Sequence, residues 1–145
     1  MNIFWLHDNP YVNARYHCDK HIKKMVLETA QMLCSVHHVV TENDNIPYKL
    51  AHKNHPCSIW VRECAENYLW LCELGIELCK EYTKRYNKVH KCQEVIEWAI
   101  LNMPMNLIVN GSITPHALAM PDECKIGDAV ESYNEYYQKY KVHIN

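Results

Sequence analysis

One face of the first predicted helix concentrates side chains that can act as nucleophiles, move protons or bind phosphate. At about 100° per residue, one sector of roughly 100° holds His17, Lys20, His21, Lys24, Glu28 and Gln31. Two of these residues are histidines four positions apart, and a single carboxylate follows seven residues after the second, which is unusual for a solvated face; histidine, lysine and glutamate are residue types capable of catalysis. A solvated surface is the alternative, because charged helix faces usually meet only water. We predict Lys24, Glu28, Lys20 and His21 as catalytic residues and His17 as a substrate contact.

A second polar cluster immediately precedes and enters the next predicted helix, which Pro56 opens. Its members are His52, Asn54, His55, Trp60 and Arg62. Backbone N–H groups at a helix N-terminus attract anions, and histidine or asparagine there adds donors for a phosphate or carboxylate. The alternative is an ordinary turn with a helix cap. We predict that these five residues bind substrate.

Two further clusters follow. Arg85, Lys88 and His90 lie where the second long helix ends, a place where the helix dipole alone favours cations. Asp122 and Lys125 place opposite charges in a loop. Our hypothesis is that all four clusters converge on one pocket, in which these five residues contact substrate.

The same residues allow two other functions. His17, His21 and Glu28 could hold a metal ion, because two histidines four residues apart on one helix are common ligands in helical bundles. Lys20 and Lys24 oppose that site, since neighbouring cations disfavour a divalent ion. The third hypothesis is a non-enzymatic binding module, in which the polar sectors are interaction surface only.

Helical periodicity extends through most of the chain, with little glycine and with proline at segment edges. This pattern predicts an all-α fold, a single compact domain of about four helices over residues 1–145. The expected helices cover about residues 10–39, 56–87 and 89–103, with caps at Asn9 or Asp8 and a last helix after Asp128. A long ordered loop, which could contain one short helix, is expected near residues 104–127.

The second predicted helix carries three indications of its packing. Gly75 in its middle costs about 1 kcal/mol relative to alanine, which suggests a close helix crossing. A stripe of cysteines, spaced at seven, eight and seven residues, is expected to pack in the core. Its acidic residues, Glu81 among them, are expected to face solvent.

Composition excludes several classes of protein. The 145 residues carry a net charge of −2, without the large cationic excess of a DNA-coating protein. No apolar run approaches the ~20 residues of a membrane-spanning helix, and the N-terminus lacks a signal-peptide pattern. We therefore expect an intracellular protein, in cytoplasm, nucleus or virion, with eight free thiols.

The order of several short motifs resembles a known family. The motifs are Met1-Asn2-Ile3-Phe4-Trp5-Leu6-His7, Leu27-Glu28-Thr29-Ala30-Gln31-Met32-Leu33, Lys53-Asn54-His55-Pro56, Glu81-Tyr82-Thr83-Lys84-Arg85-Tyr86 and Tyr133-Asn134-Glu135-Tyr136-Tyr137. In this order they are similar to the small all-α pyrimidine-dimer DNA glycosylases of phages, large DNA viruses and bacteria. The chain also resembles small uncharacterised proteins of phages and giant viruses.

The resemblance implies a cofactor-free base-excision glycosylase and AP lyase for damaged or modified pyrimidines. In that family an amine attacks C1′ of the damaged nucleotide, the base leaves, an imine forms and a carboxylate assists strand cleavage. Known members use the α-amine that is exposed when the initiator methionine is removed, and Asn2 is a poor context for that removal. The resemblance therefore implies Lys24 or Lys20 as the amine and Glu28 as the carboxylate.

The implied partner is DNA or a nucleotide, and no membrane. Lys24 is the better placed amine, because His17, His21 and neighbouring lysines surround it with positive charge that depresses an amine pKa. Trp60 or Trp70 is expected to stack on the extruded base.

Overall fold

A computed structural model of the chain describes residues 1–142, and all regular structure in that range is helical; residues 143–145 of the predicted domain lie outside it. The α-helices are α1 (Pro10–Arg15), α2 (Asp19–Val40), α3 (Pro56–Val61), α4 (Ala65–Tyr86), α5 (Gln93–Leu101) and α6 (Ala129–Tyr140). Four of these six are longer than one or two turns, which confirms the predicted all-α fold. No helix among residues 1–142 is long and apolar enough to cross a membrane.

Each of the two long predicted helices is divided in two. Cys18, the N-cap of α2, has an extended backbone (φ −73°, ψ 158°) and separates it from α1. Cys64 (φ −159°, ψ 165°) separates α3 from α4 in the same way. Neither break contains proline or glycine, and so local sequence patterns predicted continuous helices.

Side chains of α4 stabilise both breaks by donating hydrogen bonds to backbone carbonyls beside them. Arg85 Nη1 donates to the carbonyl oxygen of His17 at 2.6 Å, and its Nη2 donates to that of Arg15 at 3.2 Å. Asn67 Nδ2 donates to the carbonyl oxygen of Trp60 at 2.8 Å. At the first break, Arg85 lies about 70 residues after the carbonyl groups that it binds.

The predicted helix starts are confirmed where a capping side chain is present. Asn9 Oδ1 accepts a backbone N–H of α1 at 2.8 Å, and Asp128 Oδ1 accepts one of α6 at 2.8 Å. Pro56 is the first residue of α3, as expected. These short-range hydrogen bonds follow from the sequence itself.

The segments around α5 differ from the prediction in length. α5 has nine residues and starts later than expected, because His90 Nδ1 accepts the backbone N–H of Cys92 and closes a turn before the helix. The connection over residues 104–127 is a loop with one short 3₁₀ turn, Asp122–Cys124. The expected loop with one short helix is therefore confirmed.

Gly75 lies where α4 meets α2 and α5, and the predicted close crossing is confirmed. A Cβ atom at this position would lie 3.0 Å from Cγ2 of Thr29 and 3.1 Å from Cγ2 of Ile96. The eight cysteines are free thiols, and all except Cys18 are buried. Core packing of the cysteines is therefore confirmed as well.

The first six residues form no helix but lie inside the protein. Ile3, Phe4, Trp5 and Leu6 are all buried in the hydrophobic core. The indole of Trp5 stacks on that of Trp70, with ring centroids 3.9 Å apart. This burial fixes the start of the chain against α2 and α4 and determines where residue 1 lies.

Candidate active site

Glu28, in the middle of α2, is a buried carboxylate held by the start of the chain. Its Oε1 lies 3.0 Å from the amino nitrogen of Met1 and accepts the backbone N–H of Asn2 at 2.9 Å. Its Oε2 lies 3.9 Å from Lys24 Nζ. One carboxylate therefore faces two amines: the lysine that the resemblance implied, and an α-amine at the chain start, a type of amine that Asn2 had argued against.

The two amines have different surroundings. The Lys24 side chain is 68% exposed, whereas Met1 is half-buried as a residue and its thioether side chain is 2% exposed. The amino nitrogen of Met1 is also closer to Glu28, by 0.9 Å (3.9 against 3.0 Å). Met1 is thus the amine that the fold holds against the carboxylate, and Lys24 reaches the same carboxylate from the surface.

A cavity of about 100 Å³ opens beside Glu28. Its walls are Met1, Asn2, Phe4, His21, Lys24, Glu28, Tyr136 and Lys141. Lys141 Nζ lies 5.7 Å from the ring centroid of Phe4 and 5.3 Å from that of Tyr136. An amine, a carboxylate, an imidazole and two lysines therefore border one small space, which we call the Glu28 cavity.

His17 and His21 lie inside the protein, unlike the charged helix face expected from the sequence. Burial lowers the pKa of His17 to about 4. Burial, and then the charges of His17, Lys141 and Lys24, lower the pKa of His21 to about 3. Both rings are neutral near pH 7, so the expected positive charge from these histidines around Lys24 is absent.

A larger groove of about 700 Å³ adjoins the Glu28 cavity on the outer side of α2. Among the described residues, no aspartate or glutamate lines it, and Lys24 belongs to both spaces. Its cationic lining consists of Lys20, Lys23, Lys24, Lys49 and Lys91, with His90 beside them, above an apolar floor formed by Leu27, Leu50 and Ala51. We call this feature the lysine groove.

The second predicted cluster serves mainly the turn before α3. His55 is the N-cap of α3, Arg62 Nη1 donates to a backbone carbonyl of the turn at 2.8 Å, and His52 adopts a positive φ of 49°. Asn54 is exposed. Burial lowers the pKa of His55, and the positive amino group of Met1 lowers it further. His55 therefore lies close enough to the Glu28 cavity to interact with the charge of Met1.

Trp60 and Trp70 lie in the hydrophobic core. Trp60 Nε1 donates to the carbonyl oxygen of Thr114 at 3.2 Å, and its ring packs edge-on against Trp5, with centroids 4.8 Å apart. Both indoles enclose the buried start of the chain. Neither indole is exposed in this structure, and stacking of one of them on an extruded base stays a prediction.

Arg85 is directed into the protein instead of toward a ligand. Its Nε donates to Glu81 Oε1 at 3.1 Å, and its two terminal nitrogens bind the carbonyls between α1 and α2. Glu81 is 4% exposed, so its predicted position on the solvent face is wrong. The carboxylate is buried because Arg85 and Arg15 both pair with it.

The other predicted substrate contacts divide into two groups. His90 lines the lysine groove, with Nε2 3.1 Å from the carbonyl oxygen of Lys23, and the exposed Lys88 lies in the adjacent cleft. Asp122 and Lys125 pair with each other at 3.0 Å and line neither the Glu28 cavity nor the lysine groove. The structure therefore assembles the first cluster, places His55 and His90 near it and leaves the loop pair elsewhere.

The alternative metal site is not assembled. Among residues 1–142, no group of three or more His, Cys, Asp or Glu residues could hold a metal ion. His17 Nδ1 lies 3.0 Å from the carbonyl oxygen of Asn13, and His21 Nδ1 lies 3.1 Å from Tyr137 Oη. Each ring thus already has a protein partner.

Two parts of the site were not predicted from the sequence: an α-amine was set aside because of Asn2, and the C-terminal side chains were missed. The amino group of Met1 carries no residue-type signal, although the apolar run over residues 3–6 indicates a buried chain start. Tyr136, Tyr137 and Lys141 come from the C-terminal region. No local pattern there indicates contact with a helix more than 100 residues earlier.

A family model described as pyrimidine dimer DNA glycosylase matches residues 1–94. The matched segment contains every wall of the Glu28 cavity except Tyr136 and Lys141. No curated protein and no solved structure gives a significant match. Because the family match covers about two thirds of the 145 residues, the chain belongs to the pyrimidine dimer DNA glycosylase family.

Proposed function

We propose that the protein excises pyrimidine dimers and cleaves the DNA strand, with the amino group of Met1 as nucleophile and Glu28 as the carboxylate. The observation that carries the proposal is the 3.0 Å contact between the Met1 amino nitrogen and buried Glu28 Oε1. In this mechanism Met1 takes the role that the sequence suggested for Lys24 or Lys20.

General amine chemistry favours an α-amine over a lysine in this role. Amines attack only when unprotonated, and an α-amine ordinarily has a pKa of about 7.7–8.0, whereas a lysine has about 10.4. Near pH 7.5, roughly a third of α-amines but only about 0.1% of lysine amines are neutral. An α-amine is therefore the type of amine that is more often in its nucleophilic, neutral form near neutral pH.

The reaction can be written with every bond accounted for. The lone pair of the amine attacks C1′, the glycosidic C1′–N1 bond breaks, and its electron pair leaves with the damaged base. One amine proton goes to the departing base and the other to the ring oxygen O4′ as the sugar ring opens, which leaves an imine between the protein and C1′. Glu28 then takes a proton from C2′, and the 3′ phosphate leaves with the electrons of the C3′–O bond.

The lysine groove supports a DNA substrate. Five lysines line it, and among the described residues no aspartate or glutamate does, although Lys24 also pairs with Glu28 of the neighbouring cavity and the net charge of the chain is −2. Phosphates are bound by such local positive surfaces, and each contact releases counterions. Because Lys24 borders both spaces, a strand bound in the groove passes beside the Glu28 cavity.

Borohydride trapping on DNA that contains a cyclobutane dimer tests the nucleophile. Wild-type protein, Lys24→Arg and Lys20→Arg should all form a trapped complex, because arginine keeps the charge while the Met1 amine is unchanged. Peptide mapping should place the sugar on the first residue, and acetylation of the amino group should abolish trapping. Loss of trapping in Lys24→Arg, with the fold intact, would instead assign the reaction to Lys24.

Glu28→Gln tests the carboxylate separately. The amide keeps the size of the side chain and an oxygen for the Asn2 N–H, but it cannot remove a proton. Strand cleavage should fall by about 100-fold or more, while DNA affinity should change little. Cleavage within a few-fold of wild type would exclude Glu28 from proton transfer.

A further inference from the structure

Tyr137, from α6, reaches the helix that carries the proposed carboxylate. Its Oη accepts the backbone N–H of Cys18 at 2.8 Å and lies 3.1 Å from Nδ1 of His21. Tyr137 and His21 are both buried. Tyr137 lies outside the segment matched by the family model, whereas His21 lies within it and lines the Glu28 cavity.

Both side chains are neutral, which limits the hydrogen-bond patterns between them. Burial lowers the pKa of His21 to about 3 and raises the pKa of Tyr137 well above that of a free phenol. A neutral imidazole has one N–H and one acceptor nitrogen, and a neutral phenol has one O–H. The shared hydrogen therefore comes either from Tyr137 Oη or from His21 Nδ1, and the choice fixes the histidine tautomer.

The surroundings of the phenol favour the first arrangement. The other acceptor in reach of the Tyr137 hydroxyl is Cys18 Sγ at 3.3 Å, and sulfur is a weaker acceptor than an imidazole nitrogen. The Cys18 N–H already donates to Oη. The strongest use of the one phenolic hydrogen is donation to Nδ1, which leaves the histidine hydrogen on Nε2.

We propose that Tyr137 is a positioning residue that holds neutral His21 in the Nε2–H tautomer and so presents a hydrogen-bond donor to the Glu28 cavity. The rings of Phe4 and His21 pack in a T-shaped arrangement, with centroids 4.6 Å apart, and this contact restricts rotation of the histidine ring. The catalytic part of this inference rests on the proposed function. A neutral donor there stabilises negative charge on an oxygen of the damaged nucleotide as the glycosidic bond breaks, without transferring its proton.

Nitrogen NMR of the free protein tests the tautomer without any reaction. In ¹⁵N-histidine-labelled protein, long-range ¹H–¹⁵N correlations should show His21 protonated on Nε2 and unprotonated on Nδ1. Protonation of Nδ1 in the wild type would overturn the inference. Since this measurement needs no substrate, it is independent of whether the protein forms an imine.

Tyr137→Phe tests the cause of the tautomer preference. Without the hydroxyl, His21 should show a mixed tautomer pattern, because Nδ1 loses its donor. Tyr133→Phe is the matched control: it removes another buried hydroxyl of α6, one that donates to the backbone carbonyl of Ala117 and is not bonded to His21. An unchanged His21 pattern in Tyr137→Phe would show that the tyrosine does not set the tautomer.

Single-turnover kinetics on dimer-containing DNA test the consequence. His21→Ala should slow imine formation about 100-fold, Tyr137→Phe on the order of tenfold, and Tyr133→Phe should leave the rate unchanged. The double variant His21→Ala with Tyr137→Phe should be no slower than His21→Ala alone, because Tyr137 acts through the histidine. Additive losses would overturn the positioning role, whereas failure of wild-type protein to form an imine would refute the proposed function and leave the NMR result standing.

Discussion

Replacing Arg85 with methionine should destabilise the protein strongly, because Arg85 joins α4 to the break between α1 and α2. The guanidinium binds Glu81 and the carbonyls of Arg15 and His17, and its side chain is only 19% exposed. Methionine keeps an unbranched stem of similar length but provides no donor. The sequence suggested a different role for Arg85, as a substrate contact, so this variant separates the two interpretations.

The expected loss of unfolding free energy follows from the groups that lose their hydrogen-bond and ion-pair partners. Removal of one member of a buried ion pair costs about 3–5 kcal/mol. Glu81 retains Arg15 at 3.8 Å, which places the loss near the lower limit, at about 3 kcal/mol. At roughly 2–4 °C per kcal/mol, the melting temperature should fall by about 6–12 °C.

Urea unfolding followed by circular dichroism measures the loss, with DNA binding measured on the same protein by fluorescence anisotropy. Lys80→Met is the matched control on the same helix: its pair with Glu77, at 3.3 Å, involves a lysine that is 64% exposed, so about 0–1 kcal/mol is expected. If Arg85→Met melts within about 2 °C of wild type but loses DNA affinity, the structural role is refuted and the guanidinium contacts substrate.

Three further perturbations test other features of the structure. Gly75→Ala should lower the free energy of unfolding by about 1 kcal/mol in urea titrations, since overpacking exceeds the gain in helix propensity; a more stable variant would contradict the close crossing. Burial lowers the pKa of His17 to about 4 and of His21 to about 3, against 6.5 when exposed, so the unfolded chain binds more protons below pH 6.5. The free energy of unfolding should therefore keep its full value above pH 6.5 and fall toward pH 4, on the order of 1 kcal/mol per pH unit for each histidine. A free energy of unfolding that does not change over this range would show that these rings are not buried and neutral. Lys49→Gln should reduce the slope of log binding constant against log salt for DNA by about 0.9, and Lys84→Gln, outside the groove, should not; equal effects of the two would exclude the lysine groove as the phosphate site.

Features that depend on neighbouring residues could be predicted from the sequence. The caps at Asn9 and Asp128 act on backbone groups two or three residues away, and Gly75 marks the helix crossing because only a missing side chain allows such an approach. Glu28 was implied as the carboxylate by the family resemblance, together with its place on the polar face of the helix. The structure places it in a cavity, as an active-site carboxylate requires.

Features that depend on distant partners could not be predicted in the same way. The break before α2 is stabilised by Arg85, about 70 residues further along the chain. The helical periodicity of apolar residues therefore continues across the break and does not indicate it. His17 and His21 look like charged surface groups until the N-terminal segment and α6 cover them. The amino group of Met1 belongs to no side chain, and only the path of the buried chain start brings it to Glu28.

Glu28 Oε1 lies within 3.0 Å of two consecutive backbone nitrogens. The proposed centre therefore keeps an amine beside its carboxylate whether or not Met1 is removed. With Met1 present, its amino nitrogen lies 3.0 Å from that oxygen; if an aminopeptidase removed Met1, the nitrogen of Asn2, already 2.9 Å away, would become the free amine. The two forms of the chain would present the same functional group to the same carboxylate. Under the proposed function, asparagine at the second position is compatible with catalysis, because either form of the chain places an α-amine within 3.0 Å of Glu28.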